Sequence, residues 1–174
     1  MKTQAVPLVA VVVAVLLQVL VAPIIPIGSV YPSFLVPLAL VFAIVRGGVG
    51  VYAYAFVLGL LADLLSHTPV GLSSALLLLE SLALSKAFEY LDKGTASMPL
   101  LALVAALFVY QAICAFVMAV MGQGGFVDLF VQRALIGTVY DAAIGICVYL
   151  VVKRLPMAET ANDAWTVTNT RPFQ

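Results

Sequence analysis

The chain has 174 residues, of which 64% are hydrophobic and 9% are charged. Water-soluble domains carry about a quarter charged residues, so this composition excludes a soluble globular protein. The formal net charge is zero, which excludes a basic nucleic-acid surface and leaves no charge to steer a soluble partner. Several apolar stretches approach or exceed the roughly 20 residues that cross a bilayer, and they indicate an integral membrane protein.

Six transmembrane spans are predicted in chain order. Lys2 and the apolar run after it resemble a signal peptide. That run is longer than a usual signal core and is followed by prolines in place of a cleavage site, so we expect a retained first span. The second span is short and contains Pro37, which indicates a tilted helix or one that begins earlier, near Ile27. The spans are expected at residues 5–22, 33–45, 49–66, 70–88, 98–121 and 130–152.

The spans are expected to form one all-α membrane domain, residues 1–155, with a short polar tail, residues 156–174, that is patternless and therefore flexible. Lysine and arginine stay preferentially on the cytoplasmic side of a membrane. They lie before the first span, in or beside alternate loops, and after the last span, at Lys2, Arg46, Lys86, Lys93, Lys153 and Arg154. This alternation predicts that both termini are cytoplasmic.

Asp63 is an acidic residue in the apolar run GLLADLLSHTPVG, one turn from the outer end of the third span. Ala55 and Gly59 precede it at four-residue spacing, and small residues at that spacing let another helix approach closely. We therefore expect Asp63 to lie in a packing groove and not to face lipid. Arg133 enters the sixth span from the same side at comparable depth, which motivates the hypothesis that Asp63 and Arg133 pair.

Glu80 and Asp141 lie near the middle of the fourth and sixth spans, where a charge costs about 2.5 to 3.5 kcal/mol on insertion scales. Asp141 has Gly137 and Gly145 one turn away on either side, a pattern typical of close helix packing. The two carboxyls form either an ion or proton site or hydrogen-bonded bridges between helices. Hydroxyl partners are available at Ser81, Ser85 and Thr138. The structural interpretation is favoured, because transport sites usually show broken helices or several convergent polar residues.

The remaining polar residues indicate no chemistry. His67, in the turn SHTPVG, is expected to be a polar turn residue, since a lone histidine is a poor metal site. The glycines of RGGVG and GQGGF lack the context of a phosphate-binding loop, and no Ser-His-Asp or HExxH arrangement is present. The sequence therefore predicts no catalytic, metal or cofactor site. It predicts a protein that acts within the membrane or by contact with another protein.

The stretch YPSFLVPLALVFAIVRGGVGVYAYAFVLGLLADLLSHTPVGLSSALLL resembles the family of the rod shape-determining protein MreD. In that family a proline-led span is followed by a turn with glycine and by a helix that ends G-L-x-x-D. A short turn and a glycine then open the next span. The matching positions are Pro32, Gly50, Gly59, Leu60, Asp63 and Gly71. The last span is less similar, since the family often has asparagine where Asp141 stands.

The resemblance implies a non-catalytic subunit of the bacterial elongation machinery in the cytoplasmic (inner) membrane. Such proteins bind MreC, whose periplasmic part reaches the elongation transpeptidase, and act alongside MreB and RodA in peptidoglycan synthesis. The residues expected at helix-packing or partner contacts are Ala55, Gly59, Asp63 and Gly71. Whether the chain also forms a homodimer stays open.

The family also resembles, in its six-helix fold, the substrate-binding S-components of energy-coupling-factor vitamin transporters, which supplies a rival interpretation. A vitamin site needs convergent polar and aromatic side chains, whereas the outer loops here are short. S-components dock through alanine-rich stripes on early helices, whereas the first span is mostly valine and leucine. Both observations favour the scaffold.

Overall fold

The computed structural model describes residues 2–24, 31–46, 49–66, 69–90 and 98–154, and within them it is all-helical. The helices are α1 (Lys2–Leu20), α2 (Leu35–Arg46), α3 (Val49–Leu65), α4 (Leu72–Tyr90), α5 (Met98–Val120), α6 (Phe126–Leu129) and α7 (Thr138–Arg154). A π-helical segment, Phe130–Gly137, joins α6 to α7, so that these three parts form one long helix. The fold class predicted from the sequence is confirmed as all-helical.

The helices lie close to the predicted spans, and the largest difference is at the last helix, which begins at Phe126. Pro37 does not interrupt α2, because it lies in the first turn, where a backbone N–H has no helical partner. Helix α2 begins at Leu35, after the non-helical residues 31–34, and Ile27 lies outside the described residues. His67, the predicted loop at residues 91–97 and the predicted tail at residues 156–174 are outside the described residues.

Two helices of the described chain are long and apolar enough to cross a membrane, namely Met98–Val120 and Phe126–Val152. Three further apolar helices are shorter, at Val9–Leu20, Leu35–Val45 and Gly50–Leu65. The structure is therefore consistent with a membrane protein, while the six-span arrangement stays a prediction.

The short helix α2 lies at the centre of the bundle. Every side chain from Leu35 to Ala43 is buried, and α2 contacts α1, α3, α4, α5 and α7. A helix that is apolar on all its faces is suited either to the interior of a protein or to lipid, and α2 occupies the interior. The outward faces of the surrounding helices expose large apolar side chains, among them Leu64, Leu101 and Val139. An apolar exterior of this kind suits contact with lipid or with other membrane helices.

Candidate functional site

Helices α3 and α4 approach each other closely at Gly59. A Cβ atom built on Gly59 would lie 2.4 Å from Cα of Ser74 and 2.7 Å from the carbonyl oxygen of Ser73. Both contacts are with backbone atoms, which cannot move aside as the end of a flexible side chain could. The absence of a side chain at residue 59 therefore sets the distance between the two helices.

Asp63, one turn after Gly59, binds the first backbone amides of α4. Its Oδ2 atom accepts a hydrogen bond from the Gly71 N–H at 2.8 Å, and the Ser73 N–H lies 3.0 Å from Oδ1 and 3.1 Å from Oδ2. The Ser74 N–H also points to Oδ2, at 3.4 Å. The first amides of a helix have no partner within that helix, and a carboxylate near them is further favoured by the helix dipole.

Gly71 explains why the cap of α4 comes from α3. It occupies the position before the first residue of α4, where a serine or aspartate side chain would normally accept these amide hydrogens. Its φ of +100° lies in the region that glycine adopts readily, so the turn requires glycine and forgoes a local cap. Asp63 supplies the missing acceptor across the turn.

A Gly71→Ala substitution is expected to lower the free energy of unfolding by roughly 1–2 kcal/mol, the cost of a left-handed conformation for a residue with Cβ. No atom lies within 4 Å of a Cβ at this position, so backbone strain is the only cost. Gly71→Asn should retain more stability, because asparagine tolerates this conformation better. Thermal unfolding of the detergent-solubilised variants tests this, and equal losses in both would contradict it.

The capped turn is also tied to α5. The Tyr110 hydroxyl donates a hydrogen bond to Oγ of Ser73 at 2.7 Å, and both residues are buried. Ser73 thus accepts a hydrogen bond from Tyr110 with its hydroxyl oxygen and donates one from its backbone amide to Asp63. The contacts link α3, α4 and α5 at one level of the bundle, and Asp63 is only 1% exposed there.

Asp141 forms a second buried polar site, at the start of α2. Its Oδ1 atom accepts a hydrogen bond from the Ser33 N–H at 2.9 Å, and its Oδ2 atom accepts one from Nε2 of Gln111 at 2.6 Å. Gln18 of α1 binds the same segment, since its Oε1 accepts from the Phe34 N–H at 2.7 Å. Side chains from α1 and α7 therefore bind the non-helical residues that lead into α2, and Gln111 of α5 binds the Asp141 carboxyl.

The glycines on either side of Asp141 face α5. A Cβ on Gly137 would lie 3.2 Å from Nε2 of Gln111, and one on Gly145 would lie 3.1 Å from Cδ2 of Leu103. Gly137 thus leaves room for the amide that donates to Asp141. The structural interpretation of Asp141 as a bridge between helices agrees with these contacts.

Asp141→Leu is expected to cost about 1–3 kcal/mol for the buried Gln111 amide that it leaves without a partner, and less for the partly buried Ser33 N–H. Asp141→Asn should cost less, because its carbonyl oxygen still accepts one of these hydrogen bonds. The stability of both variants is measured as the fraction of protein that stays monodisperse after heating in detergent. The account would be contradicted if Asp141→Leu were as stable as the unmodified chain.

Glu80 differs from the two aspartates. It is 9% exposed, and both of its carboxyl oxygens are buried without a hydrogen-bond partner among the residues that the structure describes. The hydroxyl partners expected from the sequence are not used: Ser81 donates to the carbonyl oxygen of Leu78 at 2.9 Å, and the hydroxyls of Ser85 and Thr138 are buried without partners. That part of the sequence interpretation is wrong for both Glu80 and Asp141.

Arg133 lies half-buried in the π-helical segment. The hypothesis that it pairs with Asp63 stays a prediction, and the hydrogen bonds of Asp63 described above come from backbone amides at the start of α4. Arg133 lies within electrostatic range of Asp141. A π-helix has more residues per turn than an α-helix. The face of the helix on which Arg133 lies therefore cannot be predicted from the α-helical period of 3.6 residues.

A shallow apolar cavity of about 150 Å³ lies beside the start of α2. It is lined by Pro32, Phe34, Tyr140, Ala143 and Ile144. Sites that enclose a small molecule usually measure about 300–1,000 Å³ and contain a few polar groups. This cavity is smaller than that range and carries no charged residue in its lining.

Together, the fold and its buried polar contacts define an all-helical, apolar protein in which aspartates join helices to one another. A scan of protein-family models identifies the family, since the model described as rod shape-determining protein MreD matches residues 2–158. The chain belongs to the MreD family, which confirms the resemblance found in the sequence. Comparisons with curated proteins and with solved structures gave no match.

Family membership assigns this membrane-associated chain a role in rod-shape determination. MreD proteins are a family of shape-determining structural proteins and are not known as enzymes. The buried aspartates suit such a role, because their hydrogen bonds stabilise one arrangement of helices.

Proposed function

We propose that the protein is a non-catalytic membrane scaffold of the bacterial elongation machinery, which binds MreC and helps to position peptidoglycan synthesis. The observation that carries this proposal is the family match over residues 2–158, nearly the whole helical part of the chain. Rod shape depends on where new peptidoglycan is inserted. A non-catalytic helical membrane protein can influence where peptidoglycan is inserted by binding other components of the elongation machinery.

The proposed topology has six spans in the cytoplasmic membrane and both termini in the cytoplasm. The distribution of lysine and arginine supports it, and so do the apolar helices that lie close to the six predicted spans. In this arrangement the turn between α3 and α4 lies on the outer side. MreC would connect the scaffold to the elongation transpeptidase, while RodA and MreB would be reached indirectly.

The α3–α4 hairpin is proposed to act as one rigid unit of the scaffold. Gly59 lies against the backbone of α4, and Asp63 is held by amides of the same helix. An aspartate that is 1% exposed and bound in this way supports an internal role. Substitutions at Ala55, Gly59, Asp63 or Gly71 would then act on MreC binding through the shape of the hairpin.

Affinity purification of the tagged protein from its own membranes in mild detergent tests the proposal. Mass spectrometry should identify MreC and the elongation synthases among the co-purifying proteins. A tagged, unrelated multi-span protein from the same cells provides the background. Recovery of a coupling membrane subunit with two ATPases, and no MreC, would contradict the scaffold and support the vitamin-transporter alternative.

A further inference from the structure

Helices α2 and α7 lie side by side in one register. The Ser33 N–H, just before α2, donates to Oδ1 of Asp141 at 2.9 Å, and a Cβ atom on Gly145 would lie 3.4 Å from Cβ of Pro37. Each contact joins a residue to the one 108 positions later in the chain. Because the second contact follows the first along both helices, α2 and α7 are parallel.

This register places the last residues of α2 and α7 at the same level of the bundle. Helix α2 ends at Arg46 and α7 ends at Arg154, and these two residues are again 108 positions apart. The Arg154 side chain is exposed. Two adjacent, parallel helices therefore each end at an arginine.

Lys86 of α4 lies at this level as well. Helices α3 and α4 run antiparallel from a short turn, and Gly59 of α3 lies against Ser74 of α4. Helix α3 begins at Val49, ten residues or about 15 Å before this contact, and Lys86 lies twelve residues or about 18 Å beyond it. Only two residues separate Arg46 from Val49. Lys86 is exposed, and α4, like α7, contacts α2.

The level of the bundle defined by Arg46, Lys86 and Arg154 is called the basic end. Within the part of the chain that the structure describes, neither Lys86 nor Arg154 forms an ion pair, so both charges are available to an anion. In the sequence, the acidic residues at these helix ends and in the predicted loop 91–97 are Glu89 and Asp92. Five basic residues outnumber them, namely Arg46, Lys86, Lys93, Lys153 and Arg154.

An apolar surface adjoins these charges. Leu150 and Val151, within one turn of Arg154 on α7, are 53% and 60% exposed. Guanidinium and ammonium groups bind phosphate oxygens through charge-assisted hydrogen bonds. In the proposed topology the basic end lies at the cytoplasmic surface of the membrane, where the leaflet contains anionic lipids. A ligand that carries both a phosphate and acyl chains fits this combination of charge and apolar surface.

We propose that the basic end binds the phosphate headgroup of an anionic phospholipid, whose acyl chains lie along the exposed apolar face of α7. This inference goes beyond the proposed scaffold function and rests on the topology given with it. A free phosphate ion would use the same charges without the apolar face, so the acyl chains distinguish the lipid from a soluble anion.

Loss of one charge at the basic end should weaken the binding of phosphatidylglycerol roughly fivefold, the contribution of one basic residue near an anionic surface. Lys86→Gln combined with Arg154→Gln should weaken it roughly 25-fold if the two effects add. Lys86→Arg and Arg154→Lys keep the charge and should keep most of the affinity. Because both side chains are exposed, these changes should leave the fold intact.

Native mass spectrometry of the delipidated full-length chain, titrated with phosphatidylglycerol, measures this binding. Phosphatidylcholine, which has the same acyl chains and no net charge, should bind more weakly. Arg133→Gln is the matched control, since it removes one positive charge from the opposite part of the same long helix. It should leave the affinity for phosphatidylglycerol unchanged.

Several outcomes would overturn the lipid site. Unchanged binding in the double variant, or equal affinity for the two lipids, would contradict it. An equal loss in Arg133→Gln would attribute the binding to net charge and not to the basic end. Inorganic phosphate that displaced phosphatidylglycerol at equal concentration would indicate a site for a free anion. Failure of MreC to co-purify is a failure of the proposed function, and it is detected separately by the purification described above.

Discussion

Gly59→Ala is expected to be among the most damaging single-methyl additions in the chain. The new Cβ would lie 2.4 Å from Cα of Ser74, so α3 and α4 would have to move apart. Overpacking of a tight interior usually costs about 1–3 kcal/mol, and we expect the upper end because the contacted atoms are backbone. Moving the helices apart would also lengthen the hydrogen bonds from α4 to Asp63. Thermal unfolding in detergent and the protein level in membranes measure the loss.

Gly50→Ala is the matched control for this substitution. It makes the same chemical change in the same helix, but no atom lies within 4 Å of a Cβ at residue 50. Because alanine favours a helix over glycine, Gly50→Ala should be neutral or slightly stabilising. If the two alanine variants unfolded at the same temperature, the close approach at Gly59 would not be important for stability.

Asp63→Ala is expected to have the second large effect, a loss of roughly 2–4 kcal/mol. The substitution removes the cap of α4 and leaves the partly buried amide of Gly71 and the buried amide of Ser73 without their acceptor. Asp63→Asn should lose about half as much, since one oxygen can still accept. The measured quantities are again the unfolding temperature and the protein level in membranes. Both should fall before any effect specific to MreC is seen.

Asp128→Ala serves as the control for loss of an acidic side chain, because Asp128 is exposed in the first turn of the short helix α6. It should change stability by less than about 0.5 kcal/mol.

A different result at residue 63 would change the interpretation of Asp63 as an internal cap. If Asp63→Ala kept its normal level and unfolding temperature but no longer bound MreC, the carboxylate would be a direct partner contact and not an internal cap.

The helices themselves were predictable because long apolar runs leave few alternatives in a chain with 9% charged residues. The spacing of Gly59 and Asp63 also indicated a packing groove, and the structure has one there. The acceptor role of Asp63 was harder to predict, because its donors are backbone amides. Every residue except proline has such an amide, so the sequence does not indicate which ones will bind Asp63. The useful signal was Gly71, which marks a helix start that lacks its own capping side chain.

The site around Asp141 was predicted only in part. Gln18 and Gln111 were not predicted to take part, although an uncharged amide within an apolar span must also find a partner. Ser33 takes part through its backbone, so its side chain gave no indication of the contact. The location of Arg133 depends on the π-helical turns of Phe130–Gly137, and no residue in that segment predicts the departure from an α-helix.

The central claim is that this chain determines rod shape as a membrane scaffold, and the shape of its own cells after depletion tests it most directly. Length-to-width ratios would be measured in depleted cells that express either the unmodified chain or Gly59→Ala. The account predicts rounded cells on depletion, rods with the unmodified chain, and partial or no rescue with Gly59→Ala. Depleted cells that keep their rod shape and their pattern of peptidoglycan insertion would contradict it.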